Sequence, residues 1–124
     1  EMLMHDVNIC AQWLLAGATD LVRANARNGT TSVVKVAHCA ELYGSTVELN
    51  AGGGLGNHVH AQLLCAIANT TYFEHFDGHI ERAKEAGIVN CPDVVDGRLA
   101  PSMAPGWGAE IDWPYLQKRT VAEY

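Results

Sequence analysis

Apolar and polar positions over the first three-fifths of the chain fall into an alternating series of helix-like and strand-like runs. From residue 2 to residue 16, Leu3, Val7, Cys10, Ala11, Leu14 and Leu15 lie close to an i, i+3, i+4, i+7 stripe. That spacing predicts a helix laid on a sheet, with Gly17 as its stop. Leu21-Val22 reads as a short buried strand, and residues 25–29 as a turn whose Asn28-Gly29 pair tolerates positive φ. Thr30 or Thr31 is then placed to cap a helix carrying Val33, Val34, Val36, Ala37, Ala40 and Leu42, closed by Gly44. Residues 45–49 form a β-branched strand, 51–57 a glycine-rich turn, about 58–68 an apolar helix, and 70–73 a second clear strand. Strand, turn, helix, strand is the unit of a parallel sheet, in which the loops after the carboxyl ends of the strands carry the chemistry.

The unit recurs. Asn25, Asn50 and Glu74 each close a strand-like run, the chain opens on Glu1 before its first helix, and these four polar residues are spaced 24, 25 and 24 apart. A fixed period of this length marks a repeated supersecondary unit. Past Asp77 the repeat stops. Residues 80–86 suit one or two helical turns, Val94-Val95 and Arg98-Leu99 flank Asp96-Gly97 as a small hairpin, and Pro92, Pro101 and Pro105 with Gly106-Trp107-Gly108 punctuate a loop-rich tail. Trp113, Tyr115 and Leu116 in residues 111–124 require a surface to pack against. Three parallel strands leave two edges and two faces to cover, and a barrel of βα units needs eight. The pattern therefore predicts that the chain completes its sheet by self-association or belongs to a longer polypeptide.

Composition narrows the class of protein. The chain has 124 residues, of which 48% are hydrophobic and 18% charged, a globular balance with room for one core. A net charge of −6 argues against nucleic acid or an anionic membrane as partner, since the few basic residues are scattered. The amino-terminal residues have no basic segment, and Asn8 and Gln12 break their apolar run, so neither a secretory signal nor a spanning helix is expected and a cytoplasmic location is. Cys10, Cys39, Cys65 and Cys91 form no C-x-x-C pair, and buried free thiols are expected of them.

Two motifs invite other readings. Gly52-Gly53-Gly54-Leu55-Gly56-Asn57 between a strand and a helix suggests a dinucleotide loop, but the third glycine of G-x-G-x-x-G would be Asn57 or Val59. A loop presenting backbone amides to a carboxylate or phosphate fits better. His58-x-His60 and His75-x-x-x-His79 suggest metal ligands. Positions two apart diverge on a helix, and Asp77 and Gly78 interrupt any helix joining the second pair, so surface or supporting histidines are expected. Asp93 and Asp96 read as solvated turn formers.

Taken together, Glu1 before a helix, GATDLVRAN, NGTTSVVKVAHCAELYGSTVEL, the glycine turn, AQLLCAIANTTYFE and APGWGAEID resemble the carboxyl-terminal part of mandelate racemase and the acid-sugar dehydratases of the enolase superfamily. The resemblance covers essentially the whole chain but about the last third of such an enzyme. It implies an α/β fold: the last three or so βα units of a (β/α)-barrel in residues 1–76, and a loop-rich tail in residues 77–124 packed on the barrel or a cap domain. It implies an enzyme that abstracts a proton α to a carboxylate, with Mg2+ meeting the charge that develops, a small carboxylate or sugar acid as substrate, and a homo-oligomer.

By this resemblance Glu1 is the third of three metal carboxylates, the other two lying on preceding strands. Glu74 matches the glutamate that donates a hydrogen bond or proton to the substrate carboxylate. The aspartate and histidine that form the base of mandelate racemase-like enzymes correspond to Asn25 and Asn50, and an amide takes no proton at neutral pH. A base from elsewhere, such as an upstream lysine, is implied, with Asn25, Asn50, Arg27, Gly53 and Gly54 orienting or binding substrate. The other expectation is a catalytically silent association module.

Overall fold

The computed structural model describes residues 6–50 and 53–122. Its core is a three-stranded parallel sheet, in the order β1 (Val22–Ala24), β2 (Val47–Asn50) and β3 (Phe73–Glu74). Helices α1 (Val7–Leu15), α2 (Thr30–Leu42) and α3 (Gly56–Ala66) precede or connect these strands. The register pairs Val22 with Val47, Arg23 with Glu48, Ala24 with Leu49, Leu49 with Phe73 and Asn50 with Glu74.

Alternation along the strands divides the sheet into two chemically different faces. Val22, Ala24, Val47 and Leu49 are buried in one cluster with Cys10 and Leu14 of α1, with Val33, Val36, Ala37 and Ala40 of α2, and with Leu63 of α3. The intervening positions, Arg23, Glu48 and Asn50, carry polar groups on the opposite face. One face thus supplies the core, and the other supplies the candidate chemistry.

Local chemistry sets the element ends. The Asp6 carboxylate caps α1 by accepting from the Asn8 and Ile9 amides at 2.9 and 3.1 Å. Residues 1–5, to which the expected first helix also extends, lie outside the described residues. The cap of α2 is Gly29 at φ 95°, not Thr30 or Thr31, because only glycine turns the chain sharply enough out of the short 3-10 turn η1 (Ala26–Asn28). The first strand starts one residue late, at Val22, and Leu21 remains exposed.

The third strand is shorter than its β-branched run suggests. Thr71 and Tyr72 give their amide N–H groups to the Glu48 side chain instead of to a ladder, so only Phe73 and Glu74 pair with β2. Asn69 makes a second tie between units, donating from Nδ2 to the carbonyls of Ala37 at 2.9 Å and Ser45 at 3.1 Å.

After β3 the chain forms α4 (His79–Glu85), the antiparallel hairpin of β4 (Val94–Val95) and β5 (Arg98–Leu99), and α5 (Trp113–Gln117). Asp96 and Gly97, at φ 50° and 72°, form the expected primed turn. Tyr115 and Leu116 find a surface on the segment after α4, whereas Trp113 stays 64% exposed. Tyr115 donates from its hydroxyl to the Glu85 carbonyl, Ile111 bridges Ile88, and a Cβ on Gly87 would come within 2.9 Å of Leu116. The four cysteines form no disulfide, but of the burial expected only Cys10 shows it: Cys39 and Cys91 are half-buried and Cys65 is exposed. Burial pushes the Cys10 and Cys91 thiols up, which suits inert packing groups.

Candidate active site

Three of the residues singled out by the repeat stand side by side at the carboxyl end of the sheet. Asn50 is the register partner of Glu74, and Asn25, one residue beyond β1, donates from Nδ2 to Asn50 Oδ1 at 2.8 Å. Asn25 Oδ1 accepts the Arg27 amide at 3.0 Å, which fixes which way the side-chain amide points. Asn50 is thereby held with its carbonyl oxygen engaged, and among the described residues its Nδ2 makes no hydrogen bond, leaving two donors for a ligand.

Glu74 pairs with Arg23 at 2.6 Å across the polar face of the sheet, with β2 between them. Arg23 carries no expected role in the sequence reading, because nothing in a three-residue strand distinguishes an ion pair from a solvated cation. The Arg27 side chain is exposed on the turn after Asn25, at the same end of the sheet, and its charge is felt by His60. Gly53 and Gly54, at φ 67° and 48°, form the turn into α3, where the Gly56 amide donates to the Gly53 carbonyl at 2.8 Å. Residues 51 and 52 lie outside the described residues, as does Glu1, the expected metal carboxylate.

Beneath this row lie two groups that hold it in place. His60, 1% exposed, accepts the Ala26 amide on Nε2 at 2.9 Å and donates from Nδ1 to the Asn50 carbonyl at 2.5 Å. It pins the ends of β1 and β2 to α3 and to each other. Burial depresses its pKa, the Asn50 carbonyl opposes this, and the Arg27 charge adds to it, so the ring is neutral with its proton on Nδ1. Of the two expectations, a surface or a supporting histidine, His60 meets the second.

Glu48, 2% exposed, accepts from Thr70 Oγ1 at 3.0 Å, Thr71 Oγ1 at 2.7 Å, and the Thr71 and Tyr72 amides. Burial alone would raise its pKa, but these hydrogen bonds and one from Thr46 overrule it and hold the carboxyl below the usual range. The sequence signal for Glu48 was present, a lone acid inside a strand, but its partners lie 22 to 24 residues away.

His58 is also buried rather than superficial, and neither ring nitrogen has a hydrogen-bond partner among the described residues. Burial pushes its pKa down, opposed in part by the Trp107 backbone at a geometry short of a hydrogen bond. His75 and His79, expected to stay apart, meet with ring centroids 4.0 Å apart. Gly78, at φ 74°, turns the chain so that His79 opens α4 facing back toward β3.

Consecutive parallel βα units with polar residues gathered beyond the carboxyl ends of their strands define the carboxyl-terminal portion of a (β/α)-barrel. The chain belongs to the enolase C-terminal domain-like family, whose model matches residues 1–115. Among solved structures it is similar to an enolase protein from Sargasso Sea environmental sequencing, at 16% identity and a TM-score of 0.78, covering 94% of this chain and 32% of that one. It is also similar to a candidate mandelate racemase/muconate lactonizing enzyme from Burkholderia SAR-1, at 21% identity and 0.77, covering 98% and 31%. A candidate L-alanine-DL-glutamate epimerase from Burkholderia xenovorans, bound to magnesium and fumarate, matches at 20% and 0.76, covering 91% and 28%. The chain thus spans about a third of the length of these structures. No curated protein matches its sequence. No described helix is long and apolar enough to cross a membrane.

The described residues do not fit a Mg2+ ion by themselves. Mg2+ takes hard oxygen ligands, usually from more than one carboxylate or a phosphate. Here Glu74 is engaged by Arg23, Glu48 by four donor groups, and the neighbouring positions are amides.

Proposed function

We propose that the chain supplies the last βα units and tail of an enolase-superfamily enzyme that abstracts a proton α to a carboxylate, of the acid-sugar dehydratase or racemase type. The observation that carries this reading is the row Asn25, Asn50 and Glu74 across the carboxyl end of a parallel sheet, joined by the Asn25 to Asn50 hydrogen bond and the Asn50 to Glu74 register. In this reading residues 1–76 are the barrel segment and residues 77–124 pack on the barrel or a cap. The substrate is a small carboxylate or sugar acid, and the assembly is a homo-oligomer working in the cytoplasm.

Each residue has a distinct task. Glu74, once protonated and released from Arg23, donates a hydrogen bond or proton to the substrate carboxylate as charge develops on it. Asn50 presents Nδ2 to a substrate oxygen, held in that orientation by Asn25. Arg27, with the amides of the turn at Gly53 and Gly54, attracts the anionic substrate. The base is supplied by a preceding strand, because both ring nitrogens of His60, the imidazole behind Asn50, are occupied by backbone partners. Glu1, together with carboxylates of preceding strands, would hold Mg2+, and the ion would supply Lewis acidity where negative charge develops on the substrate.

The two amides also favour a second reading, a catalytically silent association module. Sugar acids incubated in D2O with Mg2+ and the protein at its native mass distinguish the two. Exchange of the α-proton, or loss of water, is expected from the enzyme. A native mass of 13.4 kDa with no exchange of any sugar acid would leave the association module.

A further inference from the structure

We propose that His75, His79 and Asp93 form a binding site for a borderline divalent metal ion, with Zn2+ the best match, held by two imidazoles and one carboxylate with water in the remaining position. One ligand atom from each of the three residues lies within 4.8 Å of the others. They come from three different places: the residue after β3, the first residue of α4, and the segment leading into the β4–β5 hairpin. Only the fold brings them together.

Three observations support the assignment. His75 Nδ1 is buried with no hydrogen-bond partner among the described residues, a deficiency that a cation beside it removes. His79 is buried, its ring stands edge-on to His75, and its Nε2 sits 3.9 Å from Asp93 Oδ1; the hydrogen bond that Nε2 gives the Pro92 carbonyl at 3.1 Å is the one a metal displaces, with release of the proton. Two ligands on one tetrahedral Zn2+ stand roughly 3.3 Å apart, given metal bonds of about 2.0 Å. Closing the cluster therefore asks for side-chain movements of about an ångström, which Asp93, exposed but with its Oδ1 accepting the Val94 amide at 2.8 Å, makes about that bond. Two imidazoles with one carboxylate suit Zn2+ and its first-row neighbours, whereas Mg2+ prefers an all-oxygen shell.

A metal here would tie the chain directly after Glu74 to α4 and to residues 91–93, so that its occupancy steadies the end of β3. The site does not depend on the catalytic reading.

The test uses the purified protein, stripped with a chelator and titrated calorimetrically with Zn2+ in excess Mg2+, and separately with Co2+ followed by visible absorption. One ion per chain is expected, with a tetrahedral nitrogen and oxygen spectrum for Co2+. Affinity should fall at least about tenfold in Asp93→Asn and further in His75→Gln. Asp93 is exposed, so Asp93→Asn decides the matter if the His75 variant fails to fold. The proposal is overturned by non-saturable binding, by equal affinity in wild type and folded Asp93→Asn, or by a Co2+ spectrum carrying thiolate charge transfer, which would assign the ion to the cysteines.

Discussion

The side-chain amide of Asn25 donates to the side-chain carbonyl of Asn50 over 2.8 Å, joining residues 25 apart at the ends of two adjacent parallel strands. The bond uses one atom of each side chain, and Asn25 spends its other on the Arg27 amide. Asn25 is 6% exposed, so water does not readily take its place on Asn50 from that side.

Asn25→Ala should therefore lower stability by about 1–3 kcal/mol, by orphaning the Arg27 amide and Asn50 Oδ1. Asn25→Asp should be no better, because it sets an acceptor against Asn50 Oδ1 where a donor stood. Urea denaturation of the two variants checks this, and recovery of wild-type stability in Asn25→Asp would show that the bond contributes nothing.

Glu48 should make stability fall in acid. Its folded pKa is lowered, so its contribution is complete above the ordinary carboxyl value of 4.5 and is lost as pH falls through the folded value. Glu48→Gln should cost about 1.5–3 kcal/mol near neutrality, since a buried charged acceptor is lost and an N–H2 is set against donors. The variant should also show a flatter stability profile below that pH, measurable by urea melts at stepped pH.

His60 acts in a higher pH window. Its folded pKa lies below the ordinary 6.5, so the unfolded chain takes up its proton first; the stabilisation is complete above 6.5 and declines as pH falls from there toward the folded value. His60→Phe keeps a ring but orphans the Ala26 amide and the Asn50 carbonyl, and should cost roughly 3 kcal/mol. It should also reduce the dependence that begins at 6.5, leaving the part due to His58, whose pKa burial lowers as well, and that of Glu48. An undiminished upper window in the variant would assign the whole of it to His58.

Glu74 separates function from stability. Its ion pair with Arg23 joins side chains 35% and 21% exposed, so Glu74→Gln should change stability by less than about 1 kcal/mol. If Glu74 serves the substrate carboxylate, turnover of a sugar acid should fall at least about a hundredfold in the same variant. A change in stability without a change in turnover would make Glu74 a structural residue.

The candidate site was legible in the sequence to the extent that it follows the repeat. Asn25, Asn50 and Glu74 each end a short apolar run, and a period near 25 residues is enough to place them at equivalent points of successive units. His60 and Glu48 were less legible. A histidine on an apolar helix and an acid inside a strand look alike in sequence whether they bind backbone or face solvent, and their partners lie in other units. Helical spacing does not join His75 and His79, because Asp77 and Gly78 interrupt any helix between them. The left-handed Gly78 brings them together by another path.

The sequence by itself determined the order of strands and helices, the polar residue closing each unit, and the tight hairpin at Asp96-Gly97. These depend on local periodicity and turn preference, which act over a few neighbouring residues. Only the tertiary structure decided that Glu48 shortens β3, that His60 is a neutral clamp behind Asn50, and that Arg23 faces Glu74. Each of these depends on which groups are buried together, and burial sets the cost of an unpaired charge or hydrogen bond. That cost is collected across the sheet rather than along the chain, so residues more than twenty positions apart settle it.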